Sequence, residues 1–238
     1  GSQAITATDF GFVDATDTAN VLQAVIITSL PTAGTLKLNG TDVALNQSIP
    51  VGSLGNLVFA PASNANGTSY TTIGFKVQDN GGTANGGVDT STTANTLTFN
   101  VTAVNDAPVV NPSGTAASYV ELATPVAINS GLTLSDVDST NLTGATVTIG
   151  IGFTTGDVLA FTNANGINGS YNSATGVLTL TGTATVAQYQ AALDSVTYSS
   201  TSHNPTATSA TRTINWQVDD GQSANHASNV GTSTINLT

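Results

Sequence analysis

The sequence contains no cysteine, and only three of its 238 residues are basic. Without cysteine, neither a disulfide framework nor a thiolate metal site can form. Three Lys and Arg face 14 Asp and Glu, giving a formal charge of -11 at pH 7. A nucleic-acid binder needs the reverse, a basic face that displaces counterions from phosphates. An anionic membrane surface would repel this chain for the same reason. No apolar run is long enough to span a bilayer, so no membrane insertion is expected. No leader peptide is visible either. The chain opens Gly1-Ser2 rather than with Met, which reads as an expression scar and predicts a fragment of something longer. A secreted domain without disulfides must draw its stability from core size or from hard metal ions. The natural partner of an acid excess is a cation, although Asp is also a good turn residue.

What remains is 39% hydrophobic and only 7% charged, in a background of Thr, Ser, Asn and Gly. Its apolar residues alternate. Leu36 and Leu38 share one face of "TLKLNG"; Ile73, Phe75 and Val77 share one of "TIGFKVQDNGG"; Leu97, Phe99 and Val101 share one of "TLTFNVTAV". Short alternating runs bounded by Gly, Asn, Asp and Pro predict strands of a sandwich or barrel. One helix is expected in "TVAQYQAALDSV", with Thr185 as N-cap and Val186, Tyr189 and Leu193 at helical spacing as a core stripe.

The pattern is written twice. "GTLKLNG" from Gly34 matches "GVLTLTG" from Gly176, and "FKVQDNGG" from Phe75 matches "WQVDDGQ" from Trp216. Gly34 to Asp79 is 45 positions and Gly176 to Asp220 is 44, so the halves are read as tandem homologous domains. Their boundaries are 1–104 and 105–238. Asp17 to Gly34 is 17 positions whereas Asp138 to Gly176 is 38, so the second copy carries 21 extra residues. These are expected to form an inserted hairpin near 155–175 with Asn-Gly turns. The first copy has a much shorter lead-in, which predicts that its first strand is lacking and that a sheet edge is left open.

Acids recur at matching places. The first copy has Asp14, Asp17 and Asp79; the second has Asp136, Asp138 and Asp220, preceded by Asn105-Asp106. Calcium takes about six to eight oxygen ligands from carboxylates, amide and backbone carbonyls and water. An Asp-x-Asp at a strand end, a third Asp from a nearby loop and an incoming Asn-Asp would supply most of such a shell. Asp106, Asp136, Asp138 and Asp220 are therefore expected to bind Ca2+ at the joint between the domains, with Asn105 adding an oxygen. The first copy lacks the Asn-Asp-Ala-Pro lead-in, so a weaker site is expected at Asp14, Asp17 and Asp79. Asp42, Asp89, Asp157 and Asp194 are read as turn or surface residues.

These features resemble cadherin repeats, whose linker reads Asp-x-Asn-Asp-Asn-x-Pro and is followed by a Glu, an Asp-x-Asp and a late Asp-Gly. The matching residues are Asn105-Asp106-Ala107-Pro108, Glu121, Asp136-x-Asp138 and Asp220-Gly221. "GVLTLTGTATVAQYQAALDSVTYSS" and "AVNDAPVV" more closely resemble the cadherin-like, VCBS-type repeats of large bacterial surface adhesins of the repeats-in-toxin kind. The resemblance implies an all-β fold of two tandem Ig-like or cadherin-like sandwiches on a bacterial cell surface, with calcium at the joints. It also implies that Glu121 serves a downstream joint. Ala103 and Ala107 stand where cadherins have ligands, and no Asp-Arg-Glu segment is found, so fewer ions per joint are expected.

No enzyme is expected. His203 and His226 lie in polar loop sequence without a zinc spacing, and no Gly-x-Ser-x-Gly elbow accompanies them. Lys37 and Lys76 alternate with core residues and face outward, against a buried lysine crosslink. The partners expected are neighbouring repeats of the same chain. Two functions stay open: a spacer that extends a stalk and presents a distal binding module, or a module that itself binds glycan or another copy. Trp216 shares a face with Ile214 and Val218 and reads as core, which favours the spacer.

Overall fold

The computed structural model describes residues 1–15 and 19–238. The chain divides into two compact units, Gly1–Val104 and Asn105–Thr238. Each is a β-sandwich with its own core.

Among its described residues unit 1 has eight strands: β1 (Gln3–Ile5), β2 (Leu22–Ser29), β3 (Thr35–Leu38), β4 (Thr41–Asp42), β5 (Ser48–Pro50), β6 (Leu57–Ala60), β7 (Gly67–Asp79) and β8 (Asn95–Val101). They form two antiparallel sheets, ordered β1-β6-β3-β4 and β5-β2-β7-β8. The alternating residues face inward as the period-two pattern requires. Leu36, Ile73, Phe75 and Phe99 are buried with Ile5, Val25, Ile27, Leu57 and Phe59. The rings of Phe59 and Phe99 stack at 4.1 Å. Asn39 and Gly40 both have positive φ, 50° and 80°, and close the two-residue turn between β3 and β4. Such a turn needs residues that tolerate left-handed backbone, which explains Asn-Gly here.

Unit 2 contains β9 (Val109–Asn111), β10 (Ala117–Tyr119), β11 (Val126–Ala127), β12 (Thr133–Ser135), β13 (Asn141–Ile149), β14 (Asp157–Ala160), β15 (Asn168–Asn172) and β16 (Val177–Thr185). After these come helix α1 (Val186–Asp194), β17 (Thr197–Ser200), β18 (Thr211–Asp219) and β19 (Gly231–Leu237). A six-stranded sheet runs β10-β19-β18-β13-β16-β15 and faces the three-stranded β11-β17-β14, while β9 pairs with β12. All pairs are antiparallel except β10 with β19. Trp216 is fully buried, and its indole N–H donates to Ser233 Oγ at 2.9 Å. The buried Asn129 donates to the same hydroxyl. An indole in a core needs such a partner.

Helix α1 begins at Thr185, whose hydroxyl accepts from the Gln188 N–H while the Gln188 side chain accepts from the Thr185 N–H. Tyr189 and Leu193 are buried, and Val186 packs on the same core. The 21 extra residues turn at Asn165-Gly166, both with positive φ, where Ala164 and Ile167 pair. The strands on either side do not pair as one hairpin. β14 joins β17, and β15 joins β16. β14 lies on β17 as β3 lies on β6, and β16 lies on β13 as β5 lies on β2, so the counterpart of β3 is β14 and the sequence match of the Gly34 segment with the Gly176 segment is not kept in the fold.

Two acids differ from their sequence reading. Asp157 is not a surface residue: it is 1% exposed and forms an ion pair with Arg212. Asp194 is partly buried and accepts from the Leu132 N–H at 3.0 Å, so it fastens the end of α1 to the loop before β12. Burial pushes its carboxyl up, opposed by that hydrogen bond. Asp42 stays on the surface and pairs with Lys37 at 2.8 Å.

Candidate metal centre

The five acids and amides expected together in unit 2 are brought to one end of its sandwich. Asn105 and Asp106 open the unit, in a segment anchored by the buried Pro108. Asp136 and Asp138 follow β12, and Asp220 follows β18. The Asn105 side-chain amide donates to Asp220 Oδ2 at 2.8 Å. It also lies 3.1 Å from the carbonyl oxygen of Ala224 and 3.2 Å from that of Asn225. The Asn225 amide returns a bond to the Asn105 carbonyl at 2.9 Å. The Asp106 N–H donates to Asp138 Oδ2 at 3.2 Å, and Ser139 Oγ lies 3.5 Å from Asp220 Oδ2. Ser139 thus adds a hydroxyl that the sequence reading did not single out; a serine beside an Asp-x-Asp carries no signal of its own.

Local chemistry fixes two of the carboxylates. Asp136 Oδ1 accepts from the N–H groups of Asp138 and Ser139, an Asx turn that carries the chain around after β12. Asp220 Oδ1 accepts from Gln222 N–H at 2.8 Å, and Asp220 is 6% exposed. The other oxygen of Asp136 is different. Oδ2 is shielded from solvent and has no hydrogen-bond partner. Burial raises the Asp136 pKa, backbone bonds from Ser139 and Asp138 oppose the rise, and the Asp138 carboxylate adds to it.

A buried carboxylate oxygen without a donor costs free energy unless a proton or a cation meets it. Asp220 Oδ2 and the carbonyl oxygens of Ala224 and Asn225 are gathered about one neutral donor, the Asn105 amide nitrogen. Among the described residues, no group of three or more His, Cys, Asp or Glu side chains closes into a metal cage. Carboxylates are only part of a calcium shell, however; hydroxyl and backbone oxygens stand here on Ser139, Ala224 and Asn225, while Asn105 turns its amide nitrogen toward Asp220. By donor chemistry the set fits a hard cation. By geometry it is held in a hydrogen-bonded arrangement that such an ion would have to rearrange.

Unit 1 repeats part of the pattern. Asp79 Oδ1 accepts from Gly81 N–H at 2.6 Å, the same two-residue turn that Asp220 makes with Gln222. Asp14 and Asp79 line one open cleft of about 310 Å³ with Thr90 and Val88. The Asp14 carboxylate accepts from Asn20 Nδ2 at 3.1 Å. Asp17 lies outside the described residues. Glu121 is not part of the unit 2 cluster. Its N–H donates to the Thr238 carbonyl beyond β19, whereas Asp220 follows β18 at the other end of that strand pair. Of the histidines, His226 is exposed and lies 2.6 Å from Asp219, while His203 is 3.9 Å from Glu121. No helix among the described residues is long and apolar enough to cross a membrane.

No family model matches this chain. Over 140 residues it is 37% identical to halomucin of Haloquadratum walsbyi, a match that covers 56% of this chain and 1% of halomucin. Among solved structures it is similar to Drosophila N-cadherin EC1-3, at 10% identity and a TM-score of 0.30, covering 93% of this chain and 56% of that one. It is also similar to mouse clustered PcdhgC3 EC1-3, at 14% identity and a TM-score of 0.30, covering 91% and 56%. A collagen adhesin of S. aureus aligns at 10% identity and a TM-score of 0.21, covering 91% of this chain and 81% of that one.

Proposed function

We propose that these units are calcium-stabilised extender repeats of an extracellular cell-surface adhesin, of the cadherin-like and VCBS type found in bacteria. Their part is to lengthen and stiffen a stalk that presents a binding module elsewhere in the protein. The observation that carries the calcium reading is Asp136 Oδ2, buried without a donor beside Asp138 and at the end of the unit where Asn105, Asp106 and Asp220 meet. Asp106, Asp136, Asp138 and Asp220 would hold the ion, with Asn105 contributing an oxygen. The ion would supply the positive charge that offsets the mutual repulsion of the clustered carboxylates.

Three further points support the extender role. The two units share one strand pattern, as repeats do. The likeness to a stretch amounting to 1% of halomucin suits a segment repeated within a far longer chain. Trp216, the one tryptophan, is buried rather than offered to a sugar ring.

Isothermal titration of chelator-treated protein with calcium tests the proposal. Binding is expected to unit 2, with Asp136→Asn and Asp220→Asn each weakening it at least tenfold. Titration without heat, or with equal heat in both variants, would contradict it. Magnesium should bind much more weakly, because it demands a small octahedral shell.

A further inference from the structure

One amide of the unit 2 cluster has more partners than protons. The Asn105 side-chain nitrogen lies 2.8 Å from Asp220 Oδ2, 3.1 Å from the Ala224 carbonyl oxygen and 3.2 Å from that of Asn225. All three are acceptors, so only the nitrogen face of the amide can meet them. That nitrogen carries two protons, and three oxygens share them. Asp220 is 6% exposed, so its carboxylate has little water to turn to instead.

The loop after β18 holds these oxygens in place. Asp220 Oδ1 accepts from the Gln222 N–H at 2.8 Å, and the Asp220 N–H donates to the His226 carbonyl at 3.0 Å, which closes residues 220–226 into a ring. Consecutive carbonyls of an extended chain point to opposite sides. Asn225 has a φ of 51°, and this left-handed turn lets the Ala224 and Asn225 carbonyls reach one atom. The Asn225 amide donates to the Asn105 carbonyl at 2.9 Å and fixes the Asn105 backbone. The Asn105 side chain is thereby held beside the three oxygens whichever way its amide faces. Half a turn about its last bond exchanges nitrogen for oxygen there.

We propose that Asn105 is a two-position latch on the cation seat, an inference that rests on the reading of calcium binding at this site. Without an ion the amide turns its nitrogen to the three oxygens and keeps Asn105 fastened to the loop. With an ion it turns its oxygen to them, because four oxygens tolerate such close neighbours only around a positive charge. The amide nitrogen and the ion therefore compete for the same oxygens, and the competition has two effects. The metal-free unit keeps its shape at this end, since a neutral donor fills the seat. Calcium affinity is set below what the oxygens alone would give, because each binding event breaks the hydrogen bonds of the amide. Asn105→Asp would reverse both effects. An ionised carboxylate has no proton to donate, so it would face Asp220 as a like charge without calcium and add a full charge to the shell with it.

The test follows the side-chain NH2 resonances of Asn105 in the full isotope-labelled chain, in chelator and during titration with calcium chloride. Asn105→Asp identifies the pair by its loss. In chelator the two protons should exchange with water roughly tenfold more slowly than those of exposed asparagines. Calcium should shift the pair and remove that protection. Asn105→Asp should lower the melting temperature of unit 2 in chelator by several degrees, and should bind calcium roughly tenfold more tightly than the parent. Protons that exchange freely in chelator, in a chain that binds calcium, would overturn the latch and leave the calcium reading intact. So would an Asn105→Asp chain that melts at the parent's temperature in chelator, or one that binds calcium no more tightly. Protected protons in a chain that takes up no calcium would overturn the calcium reading and the exchange built on it.

Discussion

Arg212 is the one arginine of the chain and is wholly buried. Its Nε donates to Asp157 Oδ2 at 2.7 Å and its Nη2 to Asp157 Oδ1 at 3.3 Å. The carbonyls of Pro205 and Ser209 and the hydroxyl of Thr154 take its other donors, so it fastens the loop before β18 to the start of β14. Tyr198 donates to the same carboxylate at 2.6 Å. Breaking a buried pair leaves an unmatched charge, so Asp157→Asn should lower unfolding stability by about 3 kcal/mol, read from urea midpoints. Sequence reading could not find this pair. Its partners are 55 positions apart, and an Asp beside Gly156 looks like any turn. Tyr189 makes a separate prediction. Burial raises its pKa to about 12 from 10.0, and its hydroxyl donates to the Gly182 carbonyl at 2.6 Å. The stability this contributes is fully present below the unfolded pKa and is lost as pH rises through the folded one. Urea midpoints should therefore fall between about pH 10 and 12 by an amount on the order of 2 kcal/mol, and less in Tyr189→Phe.

At the level of elements, local signals were legible and long-range ones were not. Thr185 at the start of α1 announces itself, because a helix needs a side chain to satisfy its first N–H groups. Thr185→Ala should cost about 1 kcal/mol by thermal unfolding. Asn39-Gly40 and Asn165-Gly166 were equally readable, since few other pairs accept positive φ twice. The destination of β14 and β15 was not readable, because both strands alternate in the same way whichever sheet receives them. Gly182 shows the same limit. At φ 128° it forms a bulge in β16 opposite Thr143, and an added Cβ would come within 2.2 Å of the Gly166 carbonyl oxygen. Nothing local in "TLTGTAT" marks that approach. For the candidate metal site, the Asp-x-Asp and the Asn-Asp were visible as spacing. The roles of Ser139, Ala224 and Asn225 depend on loop closure, and the sequence carries no mark of them.

For the whole molecule, the proposal of bound calcium makes a comparative prediction. The two units should differ in calcium binding. Unit 1 keeps Asp14 and Asp79 in an open cleft without a counterpart of Asn105-Asp106 among its described residues, so its calcium affinity should be weaker than that of unit 2. Two-site calorimetric titration would show equal affinities if that difference were unreal. The most direct measurement is scanning calorimetry of the full chain in calcium and in chelator. Calcium at about 100 times its dissociation constant should stabilise unit 2 by about 2.7 kcal/mol and raise its melting transition. Magnesium should do much less, and Asp136→Asn should remove the rise. Superimposable scans in calcium and chelator would contradict calcium-stabilised extender repeats.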